Sequence, residues 1–135
     1  MSRISEVQTL YDAMLNSTKY YFGTLKPSQL PDGLAGIYAI TDNATNQVLY
    51  VGKTTNLRRR LYTNHLMGPI TNARLKKYLI ADGDLPEIRN VADAKEYIKN
   101  NCYCQFVLEA DMRKRGQLEG LYSYLLDVKY VDQEH

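Results

Sequence analysis

GIYAITDNATNQVLYVGKTTNLRRRL, Gly36 to Leu61, sets two apolar runs around a polar middle. Gly36–Ile40 and Val48–Val51 carry strand-forming side chains, and Thr41–Gln47 between them is rich in Asp, Asn and Thr. Short polar side chains bond to their own backbone and tolerate turn conformations, so the pattern predicts two strands joined by a tight turn. The second strand ends at Gly52, and Lys53-Thr54-Thr55-Asn56 follows. Asn56 has the side chain to cap a helix whose first turns run from Leu57 to Leu61. Strand, turn, strand, glycine loop and basic helix thus fall within one short segment.

Two triplets in this segment carry a family resemblance. Gly36-Ile37-Tyr38, then eleven residues, then Tyr50-Val51-Gly52 resembles the signature of the GIY-YIG nucleases. That superfamily includes homing endonucleases, the incision subunit of bacterial nucleotide excision repair and some restriction enzymes. Val51 stands where the family usually has Ile, which keeps a strand-type side chain. The family places an Arg early on the following helix, and eight residues on from Gly52 is Arg60. The likeness is strong over residues 36–61, weaker over 62–126 and absent over 1–33. It implies a stand-alone nuclease-like domain over residues 34–135, preceded by an N-terminal helix and linker over 1–33, and a metal-dependent endonuclease activity on DNA.

A length of 135 residues suits one domain, and 44% apolar residues suffice for a core. No apolar run reaches the length of a membrane span and the N-terminus lacks a signal-peptide pattern, so a cytoplasmic protein without a membrane partner is expected. Cys102 and Cys104 would point to one face of a strand. A CxC pair is too short for a usual zinc site and has no second half elsewhere, which makes them strand residues with free thiols. Net charge is only +2, but it is unevenly spread. Lys53–Ala81 holds seven Lys and Arg residues and no acid, whereas Asp82–Asp111 holds seven acids against three bases. The basic block reads as a phosphate-binding surface or a solvated helix face, and the acidic block as a surface turned away from nucleic acid.

Along the chain, Ile4, Val7, Leu10, Tyr11, Met14 and Leu15 recur at intervals of three and four. Residues 1–26 are therefore expected to be helical, capped by Ser2 or Ser5, with Tyr20-Tyr21-Phe22 as an apolar end. That helix would pack on the sheet, or serve as a dimer contact or a DNA-positioning element. Lys26–Gly33 is a linker. After the hairpin, a helix from Asn56 to Leu66 breaks at Gly68-Pro69. Another, from Ile70 to Ala81, buries Leu75, Tyr78 and Leu79 and leaves Arg74, Lys76 and Lys77 off the stripe. Leu85–Arg89 reads as a short extended piece, Val91–Asn100 as a helix, and Cys102–Glu109 as a central strand with apolar residues on both faces. Asp111 caps a long helix from Met112 to Lys129, with Leu118, Leu121, Tyr122 and Leu125 inward. Gly116 costs that helix about 1 kcal/mol against Ala, which suggests a close approach. The predicted fold class is α+β: a small, mostly antiparallel three-stranded sheet flanked by helices, with an extra N-terminal helix.

Phosphodiester hydrolysis needs a base to activate water, positive charge at the phosphoryl oxygens and stabilisation of the leaving oxygen. A divalent metal can serve the last two needs. Tyr38 and Tyr50 lie on adjacent strands at an even separation and can share one sheet face. A tyrosine with an ordinary pKa of about 10 is a poor base unless cations lower it, and Lys53 and the Arg cluster are expected to do so. The resemblance implies a base among the two triplet tyrosines, the first more often; which of Tyr38 and Tyr50 takes the role stays open. It implies Arg60 as the fork that neutralises phosphoryl charge. It also implies a metal-binding Glu on the helix after the last core strand, here Glu119, holding Mg²⁺ or Mn²⁺. Several family members have a His four residues after the Arg. This chain has Asn64 there, and His65, also a catalytic candidate, sits one residue or about 100° farther around an α-helix. Lys53, Arg58, Arg59, Arg74, Lys76 and Lys77 are the candidates for contacts to DNA phosphates.

One departure concerns an Asn that the family usually carries twelve to fifteen residues past the Glu. Val131–Glu134 holds none, and Asp132, Asn64 and Asn72 are the substitutes at hand. A catalytically impaired nucleic-acid-binding module with this fold is the competing reading, and a protein-interaction domain is a third. No zinc finger, helix-turn-helix or other targeting module is recognisable. Structure-selective or weakly specific cleavage is therefore expected rather than homing, with a homodimer and an RNA substrate left open.

Overall fold

A computed structural model of the protein describes residues 2–67 and 74–131. Helix α1, Arg3–Leu15, and a two-residue strand β1, Tyr20–Tyr21, precede the hairpin of β2, Gly36–Asp42, and β3, Val48–Thr54. A π-helix over Arg59–Met67, α2 over Arg74–Ala81 and α3 over Val91–Asn101 lead to β4, Cys102–Leu108, and α4 follows over Met112–Leu125. The expected break at Gly68-Pro69, the helix start at Ile70, and Asn72 and Asp132 lie outside the described residues. Among the described residues no helix is long and apolar enough to cross a membrane.

The sheet is antiparallel throughout, in the order β1-β4-β2-β3. It has four strands rather than the expected three. Tyr20 and Tyr21 do not extend the first helix but pair with Cys104 and Tyr103. Their rings explain why: Tyr20 stacks on Phe106 at 5.8 Å between centroids and Tyr21 packs on Tyr103 at 5.4 Å, contacts typical of neighbouring strands. Helix α1 stops at Leu15, where the buried Gln105 amide donates to the carbonyls of Met14, Leu15 and Ser17. A strand side chain thereby serves carbonyls that a helix end leaves without partners.

Two apolar layers sandwich the sheet. Tyr38, Ile40, Cys102 and Cys104 face Leu57, Leu61, Leu75, Leu79 and Ile98 on one side, with both thiols free and buried. Ile37, Ala39 and Val51 face Met14, Leu118 and Tyr122 on the other, so the N-terminal helix packs on the sheet. A bulge makes the hairpin serve both layers. Ile40 pairs with Tyr50 but Thr41 pairs with Val48, leaving Leu49 as the extra residue. Strict alternation would send Leu49 and Tyr50 to opposite faces; the bulge turns both toward the Tyr38 layer, while Val48 and Val51 keep the other.

Three further stretches differ from expectation. Leu85–Arg89 forms turns, with Leu85 and Ile88 amides bonded to the carbonyls three residues back, rather than an extended piece. Helix α4 ends at Leu125 rather than Lys129, after which the Lys129 and Tyr130 amides bond the Val48 and Leu49 carbonyls on the edge of β3. Among the described residues, Gly116 is approached by the Lys53 amine alone, 3.6 Å from where a Cβ would stand, so Ala fits there.

Both triplet glycines answer a steric need. Gly36 lies against the Val107 carbonyl, and Gly52 lies beneath the ring and hydroxyl of Tyr38, its cross-strand partner; a Cβ at either would overlap them. Gly52→Ala is expected to destabilise the protein by about 1–3 kcal/mol through overpacking. In urea unfolding that cost should shrink in a Tyr38→Ala background, because the ring is what the new methyl meets; an unchanged cost would mean the glycine serves something else.

Candidate active site

The outer edge of β3 is covered by the chain at Val48 and Leu49 and opens beyond them into a cleft of about 410 Å³. Tyr50 and Lys53 form its floor, Arg74 and Tyr78 of α2 one wall, Glu119 of α4 the other, and Tyr130 its end. Lys53 also borders a second recess with Arg60 and Arg115, at the start of α4. Helices from opposite faces of the sheet thus meet over one strand edge, which is how residues 69 positions apart, Tyr50 and Glu119, come to share a space.

Tyr38 lies behind this cleft rather than in it. It is 1% exposed, its ring centroid stands 6.3 Å from that of Tyr50, and its hydroxyl is 2.7 Å from Nε2 of His65. His65 also packs on Tyr50, at 5.5 Å between centroids. The expected one-residue mismatch of His65 is absorbed by the helix that carries it. Asn56 caps the helix as its sequence suggests, accepting from the Arg59 amide, but Arg59–Met67 winds as a π-helix. Bonding from i to i+5 puts more residues into each turn than the roughly 3.6 of an α-helix. The position five residues past Arg60 therefore comes round to where an α-helix brings its fourth.

Charge and burial act against each other here. Burial raises the Tyr38 pKa well above its ordinary value, Tyr50 and Glu119 add to that, and Arg60 opposes it without prevailing. The expectation that nearby cations make Tyr38 readily ionisable is corrected: the loss of water outweighs the guanidinium. His65 is fully enclosed, and burial, Arg60 and Lys76 lower its pKa to about 3. It stays neutral in ordinary conditions, and among the described residues its Nδ1 has no hydrogen-bond partner.

The basic block divides. Lys76, expected off the buried stripe, is completely buried and its Nζ donates to the Asn64 carbonyl at 3.3 Å; burial, then Lys95, lowers its pKa to about 8. It braces the π-helix next to His65 instead of meeting solvent. Arg58 is also diverted, its Nε donating to the Leu30 carbonyl at 3.0 Å and its guanidinium 3.8 Å from Asp32, which ties down the linker. Lys53, Arg59, Arg74 and Lys77 are exposed, and Arg60 is half-buried.

Glu119 is half-buried on α4, and among the described residues its carboxylate makes no hydrogen bond or ion pair. No three His, Cys, Asp or Glu side chains among those residues group as a metal cage. A lone, unengaged carboxylate in an open cleft suits Mg²⁺, which keeps several waters and takes one or two carboxylates plus substrate oxygens; it does not suit zinc. Tyr78 and Tyr130, absent from the sequence-based candidates, also line the cleft. Tyr130 is held by its hydroxyl on Asp82 at 2.6 Å, and Asp82 is in turn 3.0 Å from Lys129. Tyrosines in a chain with twelve of them carry little signal individually, and only proximity distinguishes these two.

Because His65 is neutral when folded and has an ordinary pKa of 6.5 when unfolded, the unfolded chain binds the extra proton. Its contribution to stability is complete above pH 6.5 and is lost as pH falls toward 3, on the order of a few kcal/mol. Urea unfolding across that range should show a shallower loss for His65→Gln than for the wild type. Parallel curves would mean that His65 is not buried in its neutral form.

Residues 34–98 match the family described as the GIY-YIG catalytic domain. The match takes in Tyr38, Tyr50, Lys53, Arg60, His65 and Arg74 and ends before β4, so Glu119 lies outside it. No curated protein and no solved structure matches the chain significantly. With the hairpin, both triplet glycines and the following helix all in the matched segment, residues 34–98 are a GIY-YIG catalytic domain, of a family of nuclease-type domains.

Proposed function

We propose that the protein is a metal-dependent endonuclease that hydrolyses phosphodiester bonds in DNA. The observation that supports this reading is the cleft shared by Tyr50, Lys53 and Glu119, whose carboxylate has no partner among the described residues. Tyr50, which lines the cleft, is the group that takes a proton from the attacking water. Lys53 and Arg74 line the same cleft and bring positive charge to the substrate phosphate. Tyr38 and His65 form a hydrogen-bonded pair behind it and fix its ring from the rear. Arg60 directs its fork of N–H donors toward the non-bridging phosphate oxygens. Glu119 would hold Mg²⁺ or Mn²⁺, which would supply positive charge to the phosphoryl group and the leaving oxygen. Lys53, Arg59, Arg74 and Lys77 meet backbone phosphates, which makes binding weaken as salt rises.

Nicking of supercoiled plasmid tests this with Mg²⁺ or Mn²⁺. Activity is expected for the wild type, with losses for Glu119→Ala and Arg60→Ala. Removing the base by Tyr50→Phe should cost about 10²-fold or more, and Tyr38→Phe less, since it sits behind the cleft. Nicking that survives both Glu119→Ala and Arg60→Ala would overturn the assignment. A clean wild type that binds DNA in a salt-sensitive way and never cuts it would instead make this fold a nucleic-acid-binding module.

A further inference from the structure

Beyond Tyr50 the cleft has two further rings that the hydrolytic chemistry does not use. From Tyr50 the row continues to Tyr78, 6.3 Å away between ring centroids, and then to Tyr130, which lies parallel to Tyr78 at 0° and 5.3 Å. All three line the same cleft as Lys53 and Arg74. The far end is anchored: the Tyr130 hydroxyl bonds Asp82, its amide bonds the Leu49 carbonyl, and the Lys129 ammonium lies 5.2 Å from its ring centroid. Its ring is therefore set in place before any ligand arrives. On the α4 side of the cleft, none of the described residues stands within 4 Å of where a Cβ of Gly120 would be.

Rings beside cations are the elements by which proteins hold single-stranded nucleic acid, because every unpaired base has a face to stack and a phosphate to neutralise. A base inside a duplex has both faces covered by its neighbours and cannot use such a row. A volume of about 410 Å³ is in the range of small-ligand sites and is enough for a nucleotide.

We infer that the cleft beside Tyr50 is a subsite for an unpaired nucleotide of a DNA strand, whose base stacks on the Tyr78–Tyr130 pair while Lys53 and Arg74 hold its phosphates. This rests on the nuclease reading of the same cleft and gives it a substrate class: DNA with a single-stranded or unpaired stretch next to the bond that is cut. The position of the row beside Tyr50 makes the stacked base a near neighbour of the reacting phosphate.

Binding in EDTA, where no cleavage can occur, separates this inference from the nuclease reading. The probe is a short single-stranded DNA with a fluorescent purine analogue whose emission is quenched by stacking, compared with the same sequence as a blunt duplex. The wild type should quench the single strand and bind it more tightly than the duplex. Tyr130→Ala should weaken single-strand binding by about 10-fold and reduce quenching, with Tyr130→Phe close to wild type and duplex binding unchanged in both. Tyr78→Leu, read with the same probes, provides the test should Tyr130→Ala fail to fold. Equal affinity for both probes, or equal weakening of both by Tyr130→Ala, overturns the subsite. Cleavage of plasmid or single strand with Mg²⁺ but without selective stacking would sink only this inference, and selective stacking with no cleavage of the single-stranded probe in Mg²⁺ or Mn²⁺ only the nuclease reading.

Discussion

The phenol of Tyr38 lies across the bare Cα of Gly52 and ends on Nε2 of His65. Three elements depend on that one side chain. It holds β2 and β3 at a separation only glycine permits, it gives the π-helix a fixed point on the sheet, and it supports the ring of Tyr50 from behind. The two triplets are thus two halves of one contact: the tyrosine of the first needs the glycine of the second. An antiparallel pair with Tyr38 opposite Gly52 puts them on the same face, so register alone brings them together.

Around that contact, water access separates side chains of like chemistry. Tyr38 and Tyr50 are twelve residues apart on one face, yet one is enclosed and the other borders the cleft. Lys76 and Lys77 are neighbours in sequence, but one braces the Asn64 carbonyl inside the protein and the other is exposed. Burial of a cation without a partner is costly, and Lys76 meets that cost in part by donating to the Asn64 carbonyl of the π-helix. The enclosed group near Arg60 is accordingly a neutral imidazole, while the exposed cations gather where a phosphate can reach them.

The edge of β3 is the other organising feature. An open strand edge invites pairing with another chain, and here the segment after α4 folds back to bond it at Val48 and Leu49. The early end of α4 permits that return and brings Tyr130 next to Tyr78. The uncovered remainder of the edge, between α2 and α4, becomes the cleft. Covering one part of the strand and opening the other are consequences of the same turn at Leu126 and Asp127, the latter in a left-handed conformation at φ 50°.

Much of this was readable from the amino-acid order, because it is local. Alternating apolar residues, the Asx-rich turn, Asn56 and Asp111 as caps, and the paired glycine triplets act within a few residues of chain, and the hairpin, most helix boundaries and the family all follow from them. What depends on distant partners was not readable. Tyr20 and Tyr21 became a strand because β4 offered them aromatic neighbours some eighty residues away. Arg58 was drawn to the Leu30 carbonyl and Lys76 into the interior by groups with no counterpart in their own helical periodicity. The winding of the π-helix turned His65 from a residue out of phase into the partner of Tyr38. Local pattern sets which backbone each segment prefers; which polar atom a long side chain reaches, and whether water reaches it too, is settled only when the segments pack.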